Sequence, residues 1–380
     1  MPRIRVNGKP CQYNGTFTEF APAQRKREAA KAAADSAGAA GLIHVKPRLL
    51  VLELWGLGDL MIATPFLQAA SEKFEVTLLA KPFAAELRDR LWPQVEVVPF
   101  SAPWTVFHGK YRVWQWPWVE MLWLRRNLLA RHFDFAVSGR WDPRDHWAMK
   151  LFGARERLGF SRLKSQRFLT QALKRPGPLA HRCEFWCEAG RALDLKVPDR
   201  MGLVYPARPA ARAALLHSGA RLPARVWPLE NYLELANFFR KQKIAVQIAC
   251  DHNQLAWWQE HGENPACPKS VLELQACVDQ AGIFVGNCSG PGHLAAINGV
   301  PTFTVYGPSM HEWFVPMHPA AEVYEGKACP YKPCSDYCRY DKPFCLHDVK
   351  AAEVWPRILA FANRHLGAAV PAMAAGNGGI

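Results

Sequence analysis

The chain has 380 residues, enough for two domains of ordinary size. Its composition, with 49% hydrophobic and 21% charged residues, is that of a globular protein. Because 47 lysines and arginines outnumber 33 acidic residues, the formal net charge of +14 favours an anionic partner: a phosphorylated substrate, an acidic lipid surface or nucleic acid. The sequence has no apolar run of membrane-spanning length, and its N-terminus lacks the apolar core of a signal peptide. We therefore expect a cytoplasmic protein whose cysteines are mostly reduced.

The predicted elements divide the chain into four parts. Residues 1–46 are rich in alanine and charged residues and predict a mobile N-terminal arm, and the tail 367–380 has a similarly loose composition. Between them, strand and helix patterns alternate in two runs, 47–205 and 206–366, with a proline- and arginine-rich stretch at their junction. Two such runs predict two doubly wound, Rossmann-like α/β domains that face a central cleft.

The first run opens with VLELWGLGDLMIATP, residues 51–65, which predicts a buried strand, a turn through Gly56 and Gly58, and a helix that begins at Asp59. This turn lacks the Gly-Lys-Ser/Thr end of a Walker loop, and a carboxylate would repel phosphate. A carboxylate facing a cleft is better suited to take a proton from a hydroxyl group. The alternative is that Asp59 only caps the helix, which is a common position for Asp. We favour the catalytic interpretation.

Residues 103–132 combine tryptophans with basic residues. This combination is typical of a membrane interface, where indole rings lie at headgroup depth and cations contact anionic lipids. A helix packed against its own sheet would explain the leucines of this segment, but not Trp114, Trp116 and Trp118 at alternate positions of a proline-containing stretch. The pattern predicts peripheral contact with the inner leaflet of the membrane.

The strongest chemical signal is VGNCSGPGHLAAINGVPTFTVYG, residues 285–307, in the second run. After a buried strand, Ser289 can cap the next helix, Gly290 permits close approach to the backbone, Pro291 suits a first helical turn and His293 lies one turn further on. A helix N-terminus offers free N–H groups and the positive end of a dipole to phosphate. An ordinary strand-to-helix turn is the alternative, but the strand and Tyr-Gly-Pro that follow favour a ligand site.

The segment GNCSGPGHLAAINGVPTFTVYGPS, residues 286–309, resembles the signature of the family-9 glycosyltransferases, the lipopolysaccharide heptosyltransferases. Three further stretches resemble the same family: the Gly-Asp pair after the first strand, the Gly-Ala-x-x-Arg-x-Gly closure within 133–160, and the x-Trp-Pro helix start within 217–239. The resemblance covers roughly residues 47–365 in the family's order. It implies a GT-B fold and inverting transfer of a sugar from a nucleotide-diphosphate sugar, typically ADP-heptose, to a lipopolysaccharide or related glycan.

The resemblance also implies roles for individual residues. Asp59 stands where family members carry their proposed general base, with Gly58 beside it on the acceptor side. Arg225, two residues before Trp227, stands where the family has a Lys or Arg that can contact phosphate or sugar oxygens. Arg140 and Arg144 follow the strand at 133–139, where the acceptor should enter, although both can also be solvated surface residues. Because the sequence has no Asp-x-Asp pair of the metal-dependent type, we expect no catalytic metal.

The donor side departs from the family pattern at Cys288, which replaces the aspartate expected to touch donor-sugar hydroxyls. A thiol is a poor substitute for a carboxylate, so the donor sugar stays open. The nearest candidate for a ribose-binding acid is Asp251. The predicted donor-binding set is Asp251, Cys288, Ser289, Gly290, Pro291 and His293.

Four cysteines, at positions 329, 334, 338 and 345, lie close together near the end of the second run. Cys329, Cys334, Cys338 and Cys345 could bind a structural zinc, but their spacing is not that of a common zinc module. A loop of reduced thiols is the favoured interpretation, and no cofactor is predicted.

Two other classes of protein remain open. One is a homologue that binds a nucleotide sugar or glycan without turning it over, which Cys288 makes credible. The other is a GT-B-fold nucleotide-sugar epimerase, against which a basic acceptor face and a Trp-rich segment argue. Nucleic acid is not expected as a partner, because the positive charge is dispersed and no nucleic-acid-binding motif is present.

Overall fold

A computed structural model describes residues 46–106, 110–205, 213–334 and 337–366. The predicted arm, apart from Lys46, and the predicted tail 367–380 lie outside these residues. Within the described part of the chain, no helix combines the length and the apolar character needed to cross a bilayer.

The first half of the described chain alternates strands with helices, as predicted. Its strands are β1 Arg48–Glu53, β2 Glu75–Ala80, β3 Glu96–Pro99, β4 Phe135–Ser138, β5 Glu156–Gly159 and β6 Gln171–Ala172. Its helices are α1 Leu57–Lys73, α2 Ala84–Leu91, α3 Trp118–Leu129, α4 Pro143–Leu151 and α5 Arg182–Ala192.

The second half repeats this alternation. Its strands are β7 Ala213–His217, β8 Val246–Ala249, β9 Ala281–Asn287, β10 Thr302–Tyr306 and β11 Glu322–Glu325. Its helices are α6 Leu229–Lys241, α7 Leu255–Glu260, α8 Val271–Asp279, α9 Gly290–Ile297, α10 His311–Phe314, α11 Phe344–His347 and α12 Ala351–Leu366.

The strands form two parallel sheets. The first has the order β3-β2-β1-β4-β5-β6 and the second the order β11-β10-β9-β7-β8. Both orders are doubly wound, and each reverses direction once, between β1 and β4 in the first sheet and between β7 and β9 in the second. The predicted fold class is confirmed. Ligands of such sheets bind at the carboxyl ends of the strands beside these reversal points.

Both faces of the first sheet are covered by helices, which explains its continuous apolar strands. In β1, Leu49 and Val51 pack with α1 and α5, whereas Leu50 and Leu52 point to the opposite face and pack with α3 and α4. Alternate residues of one strand therefore belong to two separate cores. This double burial holds the end of β1, and the turn that follows it, in a defined position.

The N-termini of α1 and α9 meet where the two sheets face each other. A Cβ atom added at Gly290 would lie 2.9 Å from Cβ of Leu57, and one added at Gly58 would lie 2.9 Å from Cδ2 of His293. Glycine at both positions therefore permits this close approach. The contact brings the Gly-Asp turn of the first sheet beside the Ser-Gly-Pro turn of the second.

The elements that the sequence patterns did not predict as strands are short or lie at sheet edges. β6 has two residues, both exposed, and β11 has no fully buried residue. An edge strand is covered on one side only, so it lacks the apolar run from which buried parallel strands are recognised.

Candidate functional site

A cleft of about 790 Å³ lies between the carboxyl ends of the two sheets. The first sheet contributes the turn after β1, with Asp59, and the loop after β4, with Arg140. The second sheet contributes the loop after β7, with Arg225, and the turn after β9, with Ser289. The cleft therefore lies beside the reversal points of both sheets, where the fold predicts a ligand.

Basic side chains outnumber carboxylates along the walls of this cleft. The carboxylates are Asp59 and Asp251, and the basic residues are Lys81, Lys110, Arg140, Arg162, Arg182, Arg221 and Arg225. Such a lining attracts anions and can form charge-assisted hydrogen bonds to phosphate oxygens.

Asp59 is held by contacts on both of its carboxylate oxygens. Its Oδ1 accepts a hydrogen bond from Arg140 at 2.7 Å, and its Oδ2 accepts one from the backbone N–H of Gly56 at 3.3 Å. The Arg140 guanidinium also lies 4.4 Å from the ring centroid of Trp55. Asp59 is the third residue of α1 rather than its first, so its bond to Gly56 resembles half of a capping box. The carboxylate thus supports the helix and also faces the cleft.

Glu53, at the end of β1, is a buried carboxyl group behind this pair. Burial, with the charge of Asp59 second, raises the pKa of Glu53 to about 8, while Arg140 acts in the opposite direction. Its Oε1 accepts a hydrogen bond from the backbone N–H of Trp55 at 3.2 Å. A protonated Glu53 avoids placing a second negative charge beside Asp59.

We expect Glu53→Gln to stabilise the protein increasingly as the pH rises. The ordinary pKa is 4.5, and the folded value is about 8. As the pH rises through this window the unfolded chain loses the proton first, so wild-type stability falls. Glutamine stays uncharged at every pH, so the variant avoids this loss of stability, which is on the order of 3 kcal/mol at pH 7. Thermal unfolding of the wild type and the variant at pH 5 and pH 7 measures the difference in stability. Glu156→Gln, at an exposed position, is the control. A difference in stability between Glu53→Gln and wild type that does not grow with pH would contradict the raised pKa of Glu53.

The N-terminus of α9 presents unused donors to the cleft. Ser289 occupies the predicted N-cap position, but its hydroxyl makes no capping bond and donates instead to the carbonyl of Asn287 at 3.4 Å. Pro291 lies in the first turn, as predicted. The first N–H groups of the helix therefore keep their capacity to bind an anion.

His293 is buried where α9 meets α1. Burial, with the nearby His181 second, lowers the pKa of His293 to about 4, so its imidazole is neutral at physiological pH. Within the described part of the chain its Nδ1 atom has no hydrogen-bond partner. An unpaired nitrogen at a cleft wall is a group that a ligand or water can satisfy.

Arg225 and Cys288 lie in the same wall of the cleft. The Nε atom of Arg225 is buried and unpartnered among the described residues. Burial raises the pKa of the Cys288 thiol, and Arg225 opposes this effect. Cys288 is therefore a neutral thiol beside a cation, where the family pattern has a carboxylate.

Asp251 follows β8 and lies directly against the loop after β7. A Cβ atom at Gly219 would lie 2.3 Å from Cγ of Asp251, so a larger residue there would displace the Asp251 carboxylate. The Asn287 amide organises the same region. Its oxygen accepts from the backbone N–H of Trp227 at 3.0 Å, and its Nδ2 donates to the carbonyl of Ser218 at 2.8 Å.

The structure adds residues to the cleft that sequence patterns did not indicate. Arg182, the first residue of α5, lies over the rings of Trp141 at 4.2 Å and Trp313 at 5.1 Å. Its Nε atom is buried without a partner among the described residues, and burial lowers its pKa to about 10. Lys81, after β2, also lines the cleft. A strand end followed by Lys is the one sequence signal that could have indicated Lys81.

The cleft does not include every predicted site residue. Arg144 is absent from its walls, because its Nε and NH2 groups bind the Asp142 carboxylate at 2.9 and 2.6 Å. Gly58, Arg140, Asp251 and the Cys288–His293 turn do line it, together with Asp59 and Arg225.

The cysteine cluster has no metal-site arrangement. Among the described residues, no group of three or more His, Cys, Asp or Glu side chains is placed to hold a metal ion. The structure thus shows no metal-ligand geometry for Cys329, Cys334, Cys338 and Cys345. Burial and the neighbouring thiols raise the pKa of Cys345 to about 11, which keeps that thiol protonated.

Comparison with solved structures identifies the fold as GT-B. The E. coli ADP-heptose lipopolysaccharide heptosyltransferase II is 16% identical, covering 83% of this chain and 99% of its own, with a TM-score of 0.63. E. coli heptosyltransferase WaaC with ADP is 17% identical, with the same coverage and a TM-score of 0.65. A family-9 glycosyltransferase from Veillonella parvula is 16% identical, covering 86% of this chain and 100% of its own, with a TM-score of 0.66.

Residues 195–343 match the family model of glycosyltransferase family 9 (heptosyltransferase). No curated protein matches the sequence. The predicted resemblance to the family-9 glycosyltransferases is therefore confirmed, and the family model covers the segment that supplies the second wall of the cleft.

Proposed function

We propose that this protein is an inverting, metal-independent glycosyltransferase. It moves a heptose-like sugar from a nucleotide-diphosphate sugar such as ADP-heptose to a hydroxyl group of a lipopolysaccharide or related cell-surface glycan. The acceptor is lipid-linked, so the enzyme acts from the cytoplasm at the inner face of the cytoplasmic membrane.

The observation that carries this proposal is the pairing of two opposite kinds of group across one cleft. Asp59 stands on one wall, while Arg225 and the uncapped N-terminus of α9 stand on the other. A proton acceptor and an anion-binding site that face each other are the two features that sugar transfer from a nucleoside diphosphate requires.

The chemistry follows from this arrangement. The acceptor oxygen forms a bond to the anomeric carbon from the face opposite the diphosphate, which inverts that carbon. Asp59 takes the hydroxyl proton, and the bond to the diphosphate oxygen breaks with both electrons on the leaving group. Arg225 and the first N–H groups of α9 stabilise the negative charge that develops on the diphosphate. Asp251 is the candidate partner of the ribose hydroxyls.

The Asp59–Arg140 pair has a defined part in this scheme. The hydrogen bond of 2.7 Å from Arg140 orients the carboxylate before the acceptor arrives. Lys81 and Arg182 add positive charge beside the pair, which suits an acceptor that carries acidic sugars or phosphates.

Cys288 favours one alternative, a homologue that binds a nucleotide sugar without transferring it. A buried neutral thiol offers the donor sugar a weaker acceptor of hydrogen bonds than a carboxylate does. Thermal stabilisation by a panel of nucleotide sugars, followed by a transfer assay with the best binder, separates the two functions. Binding without transfer or donor hydrolysis would select the alternative.

We expect Arg225→Ala to weaken donor binding about ten- to a hundredfold, because losing a charge-assisted hydrogen bond to phosphate costs about 1.5 to 3 kcal/mol. Titration calorimetry with ADP measures the effect. Arg240→Ala is the matched control, since that arginine is exposed and binds Glu263 at 2.6 Å away from the cleft. Equal ADP affinity for wild type and Arg225→Ala would remove Arg225 from the site.

A further inference from the structure

Residues 110–126 present an apolar surface to solvent, which we call the aromatic–basic surface. The exposed fractions are 76% for Tyr111, 74% for Trp114, 84% for Val119, 62% for Leu122 and 66% for Trp123. Large side chains that stay this exposed in one short segment mark an interaction site.

The exposed side chains form one face of α3, whose other face belongs to the core. Val119, Leu122 and Trp123 are spaced three and four residues apart and point to solvent, whereas Met121 and Leu124 are buried. The aromatic–basic surface is therefore additional to the packing that holds α3 on the first sheet. Its side chains can be changed without opening the core.

The tryptophans of this region divide between core and surface, which corrects the prediction for one of them. Trp104 is buried, and its Nε1 donates to Oδ1 of Asp145 at 2.8 Å. Trp116 is half-buried with its ring 5.5 Å from that of Trp104, so it packs inward rather than projecting to solvent. Trp114, Trp118 and Trp123 are the exposed indoles among the described residues of this segment.

The charges of the aromatic–basic surface indicate what it binds. Arg112, Arg125 and Arg126 are exposed, and no described carboxylate forms an ion pair with them. Glu120 is the one acidic residue of the sequence 110–126. Indole rings with unpaired arginines suit the headgroup region of an anionic bilayer. Two copies of this face would place like charges against each other, which disfavours a dimer.

We propose that the aromatic–basic surface docks on an anionic lipid bilayer and that the cleft opens beside this contact. Val106 and Lys110 line the cleft, and Lys110 also begins the surface, so the two features are continuous. An acceptor held in the bilayer by its lipid would reach Asp59 without leaving the membrane. The delivery of an acceptor rests on the proposed function, but the membrane contact itself does not.

The test compares sedimentation of the full-length protein with vesicles of phosphatidylcholine alone and with vesicles that contain phosphatidylglycerol. We expect binding to the anionic vesicles only. The triple variant Val119→Ser, Leu122→Ser and Trp123→Ser should bind at least about tenfold more weakly. Arg125→Gln with Arg126→Gln should bind roughly 25-fold more weakly, since each removed cation contributes about fivefold near such a surface.

Exposed apolar residues elsewhere provide the matched control. Leu163→Ser combined with Leu272→Ser, exposed by 77% and 55%, should leave vesicle binding unchanged. Equal binding by wild type and the triple variant, or self-association of the wild type through this face in place of vesicle binding, would overturn the proposal. ADP affinity, measured in parallel, reports the donor site separately, so failure of the membrane contact and failure of the proposed function are distinguishable.

Discussion

Asp59→Asn is expected to lower sugar transfer by on the order of a hundredfold or more, the usual contribution of a positioned general base. Asparagine can still accept the hydrogen bond from the Gly56 backbone, so α1 and the fold should be retained. It cannot take a proton from the acceptor. Turnover at saturating donor and acceptor measures the loss, and the variant should also lack the acidic limb of the wild-type pH profile.

The control for this experiment is Asp142→Asn. Asp142 also begins a helix and also binds an arginine, through its contacts with Arg144, but it does not line the cleft. It should lose little turnover, and ADP affinity should be unchanged in both variants. Near-normal turnover of Asp59→Asn would make Asp59 a structural residue, and the proton acceptor would have to be another group.

Asn287→Ala is expected to destabilise the protein by about 3 kcal/mol, because it leaves the Trp227 N–H and the Ser218 carbonyl without partners in a dry interior. Asn287 is fully buried. The same amide connects the end of β9 to the loop after β7, so its loss should also weaken ADP binding. Chemical unfolding and calorimetry measure the two effects.

Asn298→Ala is the matched control for Asn287→Ala. The Asn298 amide also makes several hydrogen bonds, to Gln275 at 2.9 Å and to the carbonyl of Leu294 at 2.8 Å, but it does not line the cleft. It should lower stability less and leave ADP affinity unchanged. If Asn287→Ala lowers only stability, then the loop after β7 does not depend on this amide for donor binding.

Local sequence was sufficient for the parts of the site that one turn supplies. The turn after β1 and the turn after β9 each place a glycine and a polar residue between a buried strand and a helix, so Asp59 and Ser289 could be predicted to face the cleft. The chemistry of these turns depends on backbone geometry that neighbouring residues determine.

The remaining features depend on contacts between distant segments. Arg182 reaches the cleft because α5 lies beside Trp313, which is far away in sequence. Arg144 is a local exception: Asp142, only two residues earlier, binds it outside the cleft, although both arginines after β4 were predicted to lie on the acceptor side. Trp116 packs inward because Trp104 lies beneath it. Such pairings become visible only when the fold brings the segments together.

The most direct test of the proposed sugar transfer is release of ADP from ADP-heptose by the purified protein, with and without a lipopolysaccharide acceptor. We expect the acceptor to increase ADP release, the glycan product to gain one sugar with inverted anomeric configuration, and chelation of divalent metal to leave the rate unchanged. Tight ADP binding with no release of ADP from any nucleotide sugar, even with acceptor present, would contradict the proposed transfer and would identify a protein that binds its donor without transferring the sugar.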